Sequence, residues 1–207
     1  MGWIYAYYER RVFPRILDVV MKNMGELRGE ALLGAHGDVL EIGFGTGLNL
    51  AYYPPGVASV TTVDPMDALR ERVQARIAAA PFPVDVHRLR ADGRLPFPDA
   101  RFDSCAITWT LCTIPDPLAA LREVHRVLKP GATLHFIEHG RSDDARTARW
   151  QDRWNPINRV LACGCNVNRR IDALVREGGF ALAKLDRFLA PDAPRLFAEM
   201  YRGVGVR

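Results

Sequence analysis

Residues 38–49 of the chain read DVLEIGFGTGLN, and this stretch predicts the centre of the fold. The apolar run from Val39 to Ile42 is typical of a buried β-strand, and glycines follow at positions 43, 45 and 47. Glycine adopts positive φ angles and carries no Cβ, so a ligand can lie directly against the backbone of such a loop. The segment after the third glycine is expected to begin a helix, whose first N–H groups have no partner within the helix. The stretch therefore predicts a strand, a ligand-binding turn and a helix.

Two carboxylates accompany this loop. Glu41 lies two residues before the first glycine, and Asp64 ends the next predicted strand, residues 60–64. Ligands of open α/β sheets bind outside the carboxyl ends of the strands, where an acid can accept hydrogen bonds from two ribose hydroxyls. The loop differs from the dinucleotide fingerprint G-x-G-x-x-G, because position 48 is Leu and the third glycine comes at 47.

The loop and Asp64 together resemble the class I S-adenosylmethionine (SAM) methyltransferases of the type 11 methyltransferase group. In that family the E/D-x-G-x-G-x-G loop holds the methionine part of SAM, and the acid after the second strand holds the ribose. The resemblance implies SAM as the cofactor and S-adenosylhomocysteine as its product. The cofactor-binding residues that it implies are Glu41, Gly43, Phe44, Gly45, Thr46, Gly47, Asn49, Asp64, Pro65, Met66, Ala91, Asp92, Gly93, Thr108 and Trp109.

Two further segments carry the same resemblance. Residues 91–99, ADGRLPFPD, resemble the family segment in which an acid contacts the N6 amine of adenine, and Asp92 fits because a carboxylate accepts from an amine. The alternative for Asp92 is a turn or helix cap. Residues 128–134, LKPGATL, resemble the family turn between a helix and strand five. Asp103, at the start of the fourth predicted strand, is interpreted as structural, and Asp116 as the N-cap of the helix that follows it.

Strands and helices alternate from residue 38 to residue 138, which predicts a parallel, doubly wound α/β sheet. The resemblance implies a Rossmann-like sheet of seven strands, mainly parallel with the final strand antiparallel, and helices on both faces. Helices are expected at 3–28, 66–80, 117–128 and 143–161, with another ending before Gly178, and strands also at 84–89, 102–107, 182–188 and 200–206. One domain is expected over 1–207, with a helical cap or lid at 1–34, a SAM-binding core at 35–140, and substrate-side helices and the last strands at 141–207.

Residues 3–28 show apolar side chains at a spacing of three to four and predict a helical segment that Pro14 kinks or splits. Aromatic residues are dense here, among them Trp3, Tyr5 and Tyr8. Three interpretations stay open for this segment. It packs against the domain, it forms a lid over the substrate pocket, or it lies on a membrane surface, since basic residues interleave with the aromatic ones.

The composition is that of an ordinary globular domain. Of 207 residues, 48% are hydrophobic and 25% are charged, and no apolar run reaches the ~18 residues of a spanning helix. The net charge of +4 comes with scattered arginines, so no nucleic-acid partner is predicted. Peripheral membrane contact stays open, and the sequence does not indicate an oligomeric state. The first residues lack the pattern of a signal peptide, and a cytoplasmic location is expected.

The four cysteines, at 105, 112, 163 and 165, lack the pattern of a disulfide framework. One residue separates Cys163 from Cys165, whereas a zinc half-site has about two to four, and no second pair follows. The sequence therefore predicts buried thiols in a reducing cytosol and no metal site.

Short blocks in the second half resemble one subgroup of the family, the animal thiol S-methyltransferases, and bacterial phospholipid N-methyltransferase-like proteins share part of them. The blocks are residues 111–117, 138–139, 154–156 and 164–169. The animal enzymes carry an N-terminal membrane anchor, which is not expected here. The resemblance implies a small thiol as the methyl acceptor. N-methylation of a phospholipid or other amine, C-methylation of a quinone-like compound and a non-catalytic SAM-binding interaction protein remain as alternatives.

Methyl transfer is a direct displacement, so the protein mainly aligns donor and acceptor. A thiol with a pKa near 8.5 attacks as thiolate, and His139, at the carboxyl end of the fifth strand, is the best-placed base. The alternative for His139 is a hydrogen-bonded wall residue, and for Asn166 and Arg169 a structural role around the following helix. The substrate-binding residues predicted are Tyr5, Tyr8, Leu111, Cys112, His139, Asn166 and Arg169.

Overall fold

The computed structural model describes residues 2–67, 69–191 and 193–207. Within these residues seven strands form one sheet. They are β1 (Gly37–Ile42), β2 (Val57–Val63), β3 (Val84–His87), β4 (Phe102–Thr108), β5 (Leu128–His139), β6 (Ala181–Leu189) and β7 (Glu199–Val206). Their order across the sheet is β3-β2-β1-β4-β5-β7-β6. The five strands from β3 to β5 pair in parallel, and β7 runs antiparallel to both β5 and β6, which confirms the predicted sheet.

The helical segments either lie between the strands in the chain or precede the first strand. The α-helices are α1 (Gly2–Tyr7), α2 (Phe13–Lys22), α3 (Gly25–Leu32), α4 (Arg70–Ala78), α5 (Pro117–Val127), α6 (Ala145–Leu161) and α7 (Ile171–Glu177). A π-helical turn, Tyr8–Val12, joins α1 to α2, and a 3₁₀ helix, Leu48–Tyr52, follows the glycine loop.

The core lies on both faces of the sheet, because successive strand residues point to opposite sides. In β1, Leu40 belongs to the larger buried cluster, which includes residues of α5 and α7. Val39, its neighbour, packs instead in the cluster that contains Leu32 at the end of α3. Both faces are therefore covered by helices, as predicted for a doubly wound sheet.

Several element boundaries differ from the sequence prediction. The helix expected at 66–80 begins only at Arg70, because Leu69 has a positive φ of 49° that no α-helix accommodates; Ala68 lies outside the described residues. The helix after the glycine loop is a single 3₁₀ segment. The strand expected at 84–89 ends at His87. The N-terminal helix is interrupted before Pro14, which occupies the first turn of α2, where its missing N–H costs no hydrogen bond.

Two acids interpreted as structural hold element ends. The Asp103 carboxylate accepts the N–H of Asp38 at 2.9 Å and pairs with Lys129 at 2.5 Å, which links β1, β4 and the start of β5. The Asp116 side chain accepts the N–H of Ala119 at 2.9 Å, so it is the N-cap of α5. Both contacts fit the roles expected from the sequence.

Candidate active site

The glycine loop is packed on one side and open on the other. Gly43, Gly45 and Gly47 have φ angles of 81°, 55° and 78°. A Cβ at Gly43 would lie 2.0 Å from the Thr110 hydroxyl oxygen, so only glycine lets the loop approach the segment after β4. A Cβ at Gly45 would meet no atom of the described residues within 4 Å. The backbone at Gly45 is thus exposed to open space, as a loop that carries a ligand requires.

The rest of this loop is held by local contacts. Phe44 is buried among Leu50 and Val73, and the N–H of Gly47 donates to the Phe44 carbonyl at 2.9 Å. These contacts close a tight turn around Gly45 and fix its position.

Glu41 lies at the centre of a buried hydrogen-bond network. Its carboxylate accepts from Asn49 Nδ2 at 2.9 Å and from the Tyr53 hydroxyl at 2.8 Å. Asn49 Oδ1 in turn accepts from Arg28 at 2.6 Å, and Arg28 also donates to the Thr108 hydroxyl at 3.2 Å. Burial raises the pKa of Glu41 to about 7. The predicted residues Glu41, Asn49 and Thr108 therefore do meet at the carboxyl ends of β1 and β4.

Arg28 and Tyr53 belong to this network and were missed in the sequence. Arg28 lies on α3 and is buried, which lowers its pKa to about 10. Its guanidinium stacks 4.7 Å from the ring centroid of Trp109. In the sequence, an arginine between glycines and a tyrosine before two prolines carry no signal that distinguishes them from surface residues.

Trp109 stands out by its backbone and its indole. Its φ of 48° is left-handed, a conformation that costs a non-glycine residue free energy and occurs preferentially at functional sites. Its Nε1 is buried and has no acceptor among the described residues. A buried donor without a partner is costly, so this atom is suited to a bound acceptor.

Asp64 joins the end of β2 to the glycine loop. Its carboxylate accepts the N–H of Gly45 at 2.7 Å and the N–H of Met66 at 2.7 Å. Burial raises the pKa of Asp64. Pro65, between these contacts, is exposed. The structure therefore brings Asp64 to the open backbone of Gly45, as the sequence predicts.

Asp92 has a competing partner. Arg90 donates to both of its carboxylate oxygens, at 3.0 and 2.6 Å. This ion pair lowers the pKa of Asp92. The Asp92 side chain is 8% exposed, whereas that of Arg90 is 61% exposed and can turn away into solvent. Ala91 beside it is buried in the core, and Gly93 is on the surface.

Asp18 connects α2 to the glycine loop and was also missed. It accepts from the Thr46 hydroxyl at 2.5 Å and pairs with Arg72 at 2.8 Å and Arg76 at 2.7 Å. Arg76 also donates to the Thr46 carbonyl at 2.7 Å. Burial alone would raise the pKa of Asp18, but the hydrogen bonds from Arg76, Thr46 and Arg72 outweigh it and lower the pKa to about 2. The N-terminal helices are therefore tied to the loop.

Glu138, near the end of β5, holds the segment that follows β4. Its buried carboxylate accepts the N–H groups of Thr110 at 2.7 Å, Leu111 at 2.8 Å and Cys112 at 3.2 Å. Burial raises the pKa of Glu138 well above the usual range, and the three donors act in the opposite direction. Residues 110–112, which touch Gly43 through Thr110, are thereby fixed in place.

Asn166 and Arg169 support the same segment. Asn166 donates to the Cys112 carbonyl through its backbone N–H at 2.8 Å and its Nδ2 at 3.0 Å. Arg169 donates to the carbonyls of Leu111 and Ile114. Leu111 itself is fully buried in the core. These contacts fit the structural alternative, and direct substrate contact by Leu111, Asn166 or Arg169 stays a prediction.

Cys112, His139 and Cys165 come together at this edge, although they are far apart in the chain. Their ligating atoms lie within 4.8 Å of one another. A hydrogen bond between the two thiols raises the pKa of Cys112 and lowers the pKa of Cys165. The His139 Nδ1 is buried without a partner among the described residues. The spacing argument against a metal site compared only Cys163 with Cys165, and it missed this cluster.

The N-terminal tyrosines lie near the end of α6. The Tyr8 hydroxyl donates to the Leu161 carbonyl at 2.7 Å, and the rings of Tyr5 and Tyr8 are 6.4 Å apart. Tyr5 also interacts with the Cys163 thiol, which contributes, after burial, to a raised pKa of Tyr5. Both tyrosines thus border the turn that carries Cys165.

The sequence matches a known family. The family described as "Methyltransferase domain" matches residues 40–136, the segment from β1 to β5 that carries the loop, Asp64 and Asp92. Residues 40–136 of the chain belong to this family. The resemblance found in the sequence is thereby confirmed, and the helical and strand elements around the matched segment complete the fold.

Two curated relatives and one solved structure illustrate the similarity. The thiol S-methyltransferase TMT1A of Homo sapiens is 31% identical over 157 residues, which are 74% of this chain and 64% of that protein. The demethylmenaquinone methyltransferase of Chlamydia trachomatis is 38% identical over 112 residues, 52% of this chain and 47% of that protein. A SAM-dependent methyltransferase from Aquifex aeolicus has the same fold, with a TM-score of 0.62 at 14% identity over 93% of this chain and 97% of that one.

These matches limit what is established for the chain. It spans just under two thirds of the length of the human relative. Among the described residues no helix combines the length and the apolar character that crossing a membrane requires.

Proposed function

We propose that the chain transfers the methyl group of SAM to a small thiol. The observation that carries the proposal is the junction at residues 110–112. At one end of this segment Thr110 contacts Gly43 of the glycine loop, and at the other end Cys112 lies beside His139. Cofactor-side and acceptor-side groups are therefore two residues apart on one rigid segment.

The residues on the cofactor side fit SAM. The open backbone at Gly45 leaves room for a ligand, and the Asp64 carboxylate beside it suits ribose hydroxyls. The indole N–H of Trp109, which has no acceptor in the described part of the chain, supplies a further donor. Asp92 is the acceptor for the adenine amine once Arg90 releases it. The bound cofactor supplies an electrophilic sulfonium methyl group.

On the acceptor side the chain must hold a sulfur atom and favour its thiolate form. Half-buried His139, whose Nδ1 finds no partner within residues 2–67, 69–191 and 193–207, is the group for this task. Leu111 and Cys112 belong to the segment of residues 110–112. Both are buried, so water is excluded around them. Tyr5 and Tyr8 border this region from the N-terminal side. Because the transfer is direct, alignment of the two reactants supplies most of the rate.

The relatives support this assignment of the acceptor and one alternative. The human relative is named a thiol S-methyltransferase, which favours S-methylation here. The chlamydial relative is named a demethylmenaquinone methyltransferase, so C-methylation of a quinone-like compound is the second candidate. N-methylation of a lipid amine and a SAM-binding role without catalysis have less support, because no finding on the acceptor side favours them. A cytoplasmic location remains a prediction.

The test is methyl transfer from labelled SAM to a panel of short alkyl, aryl and hydroxylated thiols, amines, phospholipids and quinols. We expect a thioether product, identified by mass spectrometry, that increases linearly with protein concentration. His139→Ala should lower the turnover, by about 10²–10⁴ for a group that favours the reactive protonation state. Methylation of quinols alone would assign the chain to C-methylation, and no product with any acceptor would refute the enzymatic role.

A further inference from the structure

Three side chains that bind soft metals meet beside the glycine loop. The sulfur atoms of Cys112 and Cys165 and a ring nitrogen of His139 lie within 4.8 Å of one another. A tetrahedral zinc ion about 2.3 Å from each sulfur and about 2.0 Å from the nitrogen would hold these atoms roughly 3.5–3.8 Å apart. The observed limit of 4.8 Å exceeds this spacing by about 1 Å, which side-chain rotation can close.

The backbone of both cysteines is fixed before any ligand binds. Glu138 accepts the N–H of Cys112 at 3.2 Å, and Asn166 donates twice to its carbonyl. On the other side, Asn158 Nδ2 donates to the carbonyl of Cys165 at 2.7 Å. Asn166 follows Cys165 directly and donates hydrogen bonds to the Cys112 carbonyl. The same turn therefore holds the backbones of the two cysteines close together.

The imidazole completes a set of three ligands. His139 ends β5, and its Nδ1 is buried without a partner among the described residues. A buried imidazole nitrogen of this kind loses free energy unless an ion or a donor satisfies the ring. Thiolate and imidazole ligands select zinc over magnesium or calcium, which prefer oxygen.

We propose that Cys112, His139 and Cys165 bind one Zn²⁺ ion and that its fourth position receives the sulfur of the acceptor thiol. Three protein ligands with one open position are typical of catalytic zinc, whereas structural zinc has four. The cluster contains three ligands among the residues that the structure describes. The second half of the proposal, the acceptor thiol, rests on the proposed function.

Zinc gives the acceptor a defined chemistry. A thiol that coordinates zinc is deprotonated, and its proton passes to water. A lone pair of the acceptor sulfur forms the new S–C bond while the sulfonium C–S bond of the methyl donor breaks. The electron pair of the broken bond returns to the donor sulfur, which becomes a neutral thioether. In this arrangement His139 favours the thiolate as a metal ligand and takes up no proton.

The first measurement is the metal content of the full chain, purified without a metal-affinity tag and dialysed against metal-free buffer. We expect about one zinc per chain, as for a site with three protein ligands. Cys165→Ser and His139→Ala should weaken zinc binding by more than about 100-fold, beyond the loss typical of outer-sphere changes. Cys163→Ser, in the same turn but outside the cluster, should keep the metal and controls for general damage to the turn.

Cobalt substitution tests the geometry and the open position. Co²⁺ in this site should show thiolate-to-metal charge-transfer absorption and the strong visible bands of tetrahedral coordination, both absent in Cys165→Ser. Addition of a small alkyl thiol should shift the visible bands, whereas an alcohol of the same size should not. Three results would each overturn the proposal. They are a wild-type chain that stays zinc-free after reconstitution, zinc retained in both cluster variants, and a Cys112–Cys165 disulfide that persists in reductant.

The outcome for the metal and the outcome for the proposed function can be separated. Stoichiometric zinc with no thioether product would leave the metal site standing and refute thiol methylation as its purpose. Full thioether production by chelator-treated, metal-free chain that still binds SAM would refute the zinc proposal and leave thiol methylation intact. Circular dichroism of every variant shows whether the chain remains folded.

Discussion

At the scale of single residues, three buried or partly buried acids lie at the carboxyl ends of the parallel strands β1, β2 and β5, and each organises a loop. Glu41, near the end of β1, accepts hydrogen bonds from Asn49 and Tyr53. Asp64 follows β2 and accepts from Gly45, and Glu138 near the end of β5 accepts three N–H groups. A carboxylate removed from water is stable only with such donors. The acids therefore position the backbone of the site.

Asp64→Ala tests the cofactor assignment directly. The substitution removes the proposed acceptor for ribose hydroxyls and the observed acceptor for the N–H of Gly45. The affinity for SAM should fall by about tenfold or more, since losing a partner of a buried hydrogen bond costs about 1–3 kcal/mol. Titration calorimetry measures it. Asp67→Ala is the matched control, because Asp67 is a nearby surface acid paired with Arg88. Unchanged affinity in Asp64→Ala would remove this residue from the site.

Glu41 predicts a pH dependence of stability. Its pKa rises from 4.5 to about 7 on folding. Between these values the native state binds more protons than the unfolded state, so the free energy of unfolding falls as the pH rises through this window. Glu41→Gln keeps a hydrogen-bonding amide but does not titrate. The variant should therefore gain stability relative to the wild type between pH 5 and pH 8, in urea unfolding.

A second acid provides the control for this experiment. Glu123 is paired with Arg126, which lowers the pKa of Glu123 on folding. Its contribution is present above the unfolded pKa and is lost at lower pH. Glu123→Gln should therefore show no gain toward pH 8. An equal response of the two Gln variants would contradict the assignment of the effect to Glu41.

At the scale of elements, the N-terminal helices divide into an anchored and an exposed part. Asp18 fixes α2 to Thr46 and α4, whereas α1 leaves Trp3 78% and Tyr7 61% exposed. The hydrogen bond from the Tyr8 hydroxyl to the Leu161 carbonyl connects the first twelve residues to α6. We therefore expect the exposed part to be dispensable for the core, and its exposure favours a lid or a membrane contact over core packing.

Deletion of residues 1–13 tests this division. Because little of α1 is buried and α2 keeps Asp18, the melting temperature should change only slightly. The Michaelis constant for the acceptor should rise by about fivefold, equivalent to the loss of about 1 kcal/mol of contact. Steady-state kinetics with a thiol panel measure it. A large drop in melting temperature with an unchanged Michaelis constant would instead show that the segment belongs to the core.

Co-sedimentation with anionic vesicles at low salt distinguishes a lid from a membrane-surface helix. Basic residues Arg10 and Arg11 lie among the exposed aromatic ones. Vesicle binding by the intact chain that is lost on deletion would assign the segment to membrane contact. Absence of binding would leave the lid.

The sequence predicted most of the fold because its signals are local. A β-branched or apolar run predicts a buried strand wherever it lies, and β1, β2 and β4 were found in this way. Two predictions were wrong: the segment after Gly47 is a 3₁₀ helix, and α4 begins at Arg70 instead of residue 66. Both features depend on backbone angles such as the φ of Leu69. Periodicity carries no information about a single left-handed residue.

The site was predicted in part for the same reason. The glycine loop and Asp64 are a compact motif, and the structure brings them together. Arg28 and Asp18 were not predicted, because their partners are distant in the chain. Charged side chains on helices are usually solvated, so no signal in the sequence placed these two in the site. The cluster of Cys112, His139 and Cys165 exists only once β4, β5 and the turn after α6 are folded.

At the scale of the whole molecule, the proposed cofactor site draws on strand ends from one half of the sheet and on the helices α2 and α3. The loop after β1, Asp64 after β2, Trp109 after β4, Arg28 on α3 and Asp18 on α2 are linked by hydrogen bonds or stacking. A ligand that contacts this network stabilises all of these elements at once. Binding of SAM should therefore be visible in the unfolding of the entire chain.

Thermal unfolding with and without SAM makes this prediction quantitative. A ligand at about 100 times its dissociation constant stabilises the native state by about 2.7 kcal/mol, which for about 200 residues raises the melting temperature by about 5–10 °C. The same concentration of SAM should raise it far less in Asp64→Ala. NAD should cause no shift, because the glycine loop lacks the third-glycine spacing that a pyrophosphate requires. A shift with NAD and none with SAM would mean that the loop, although folded as the family predicts, serves a different ligand.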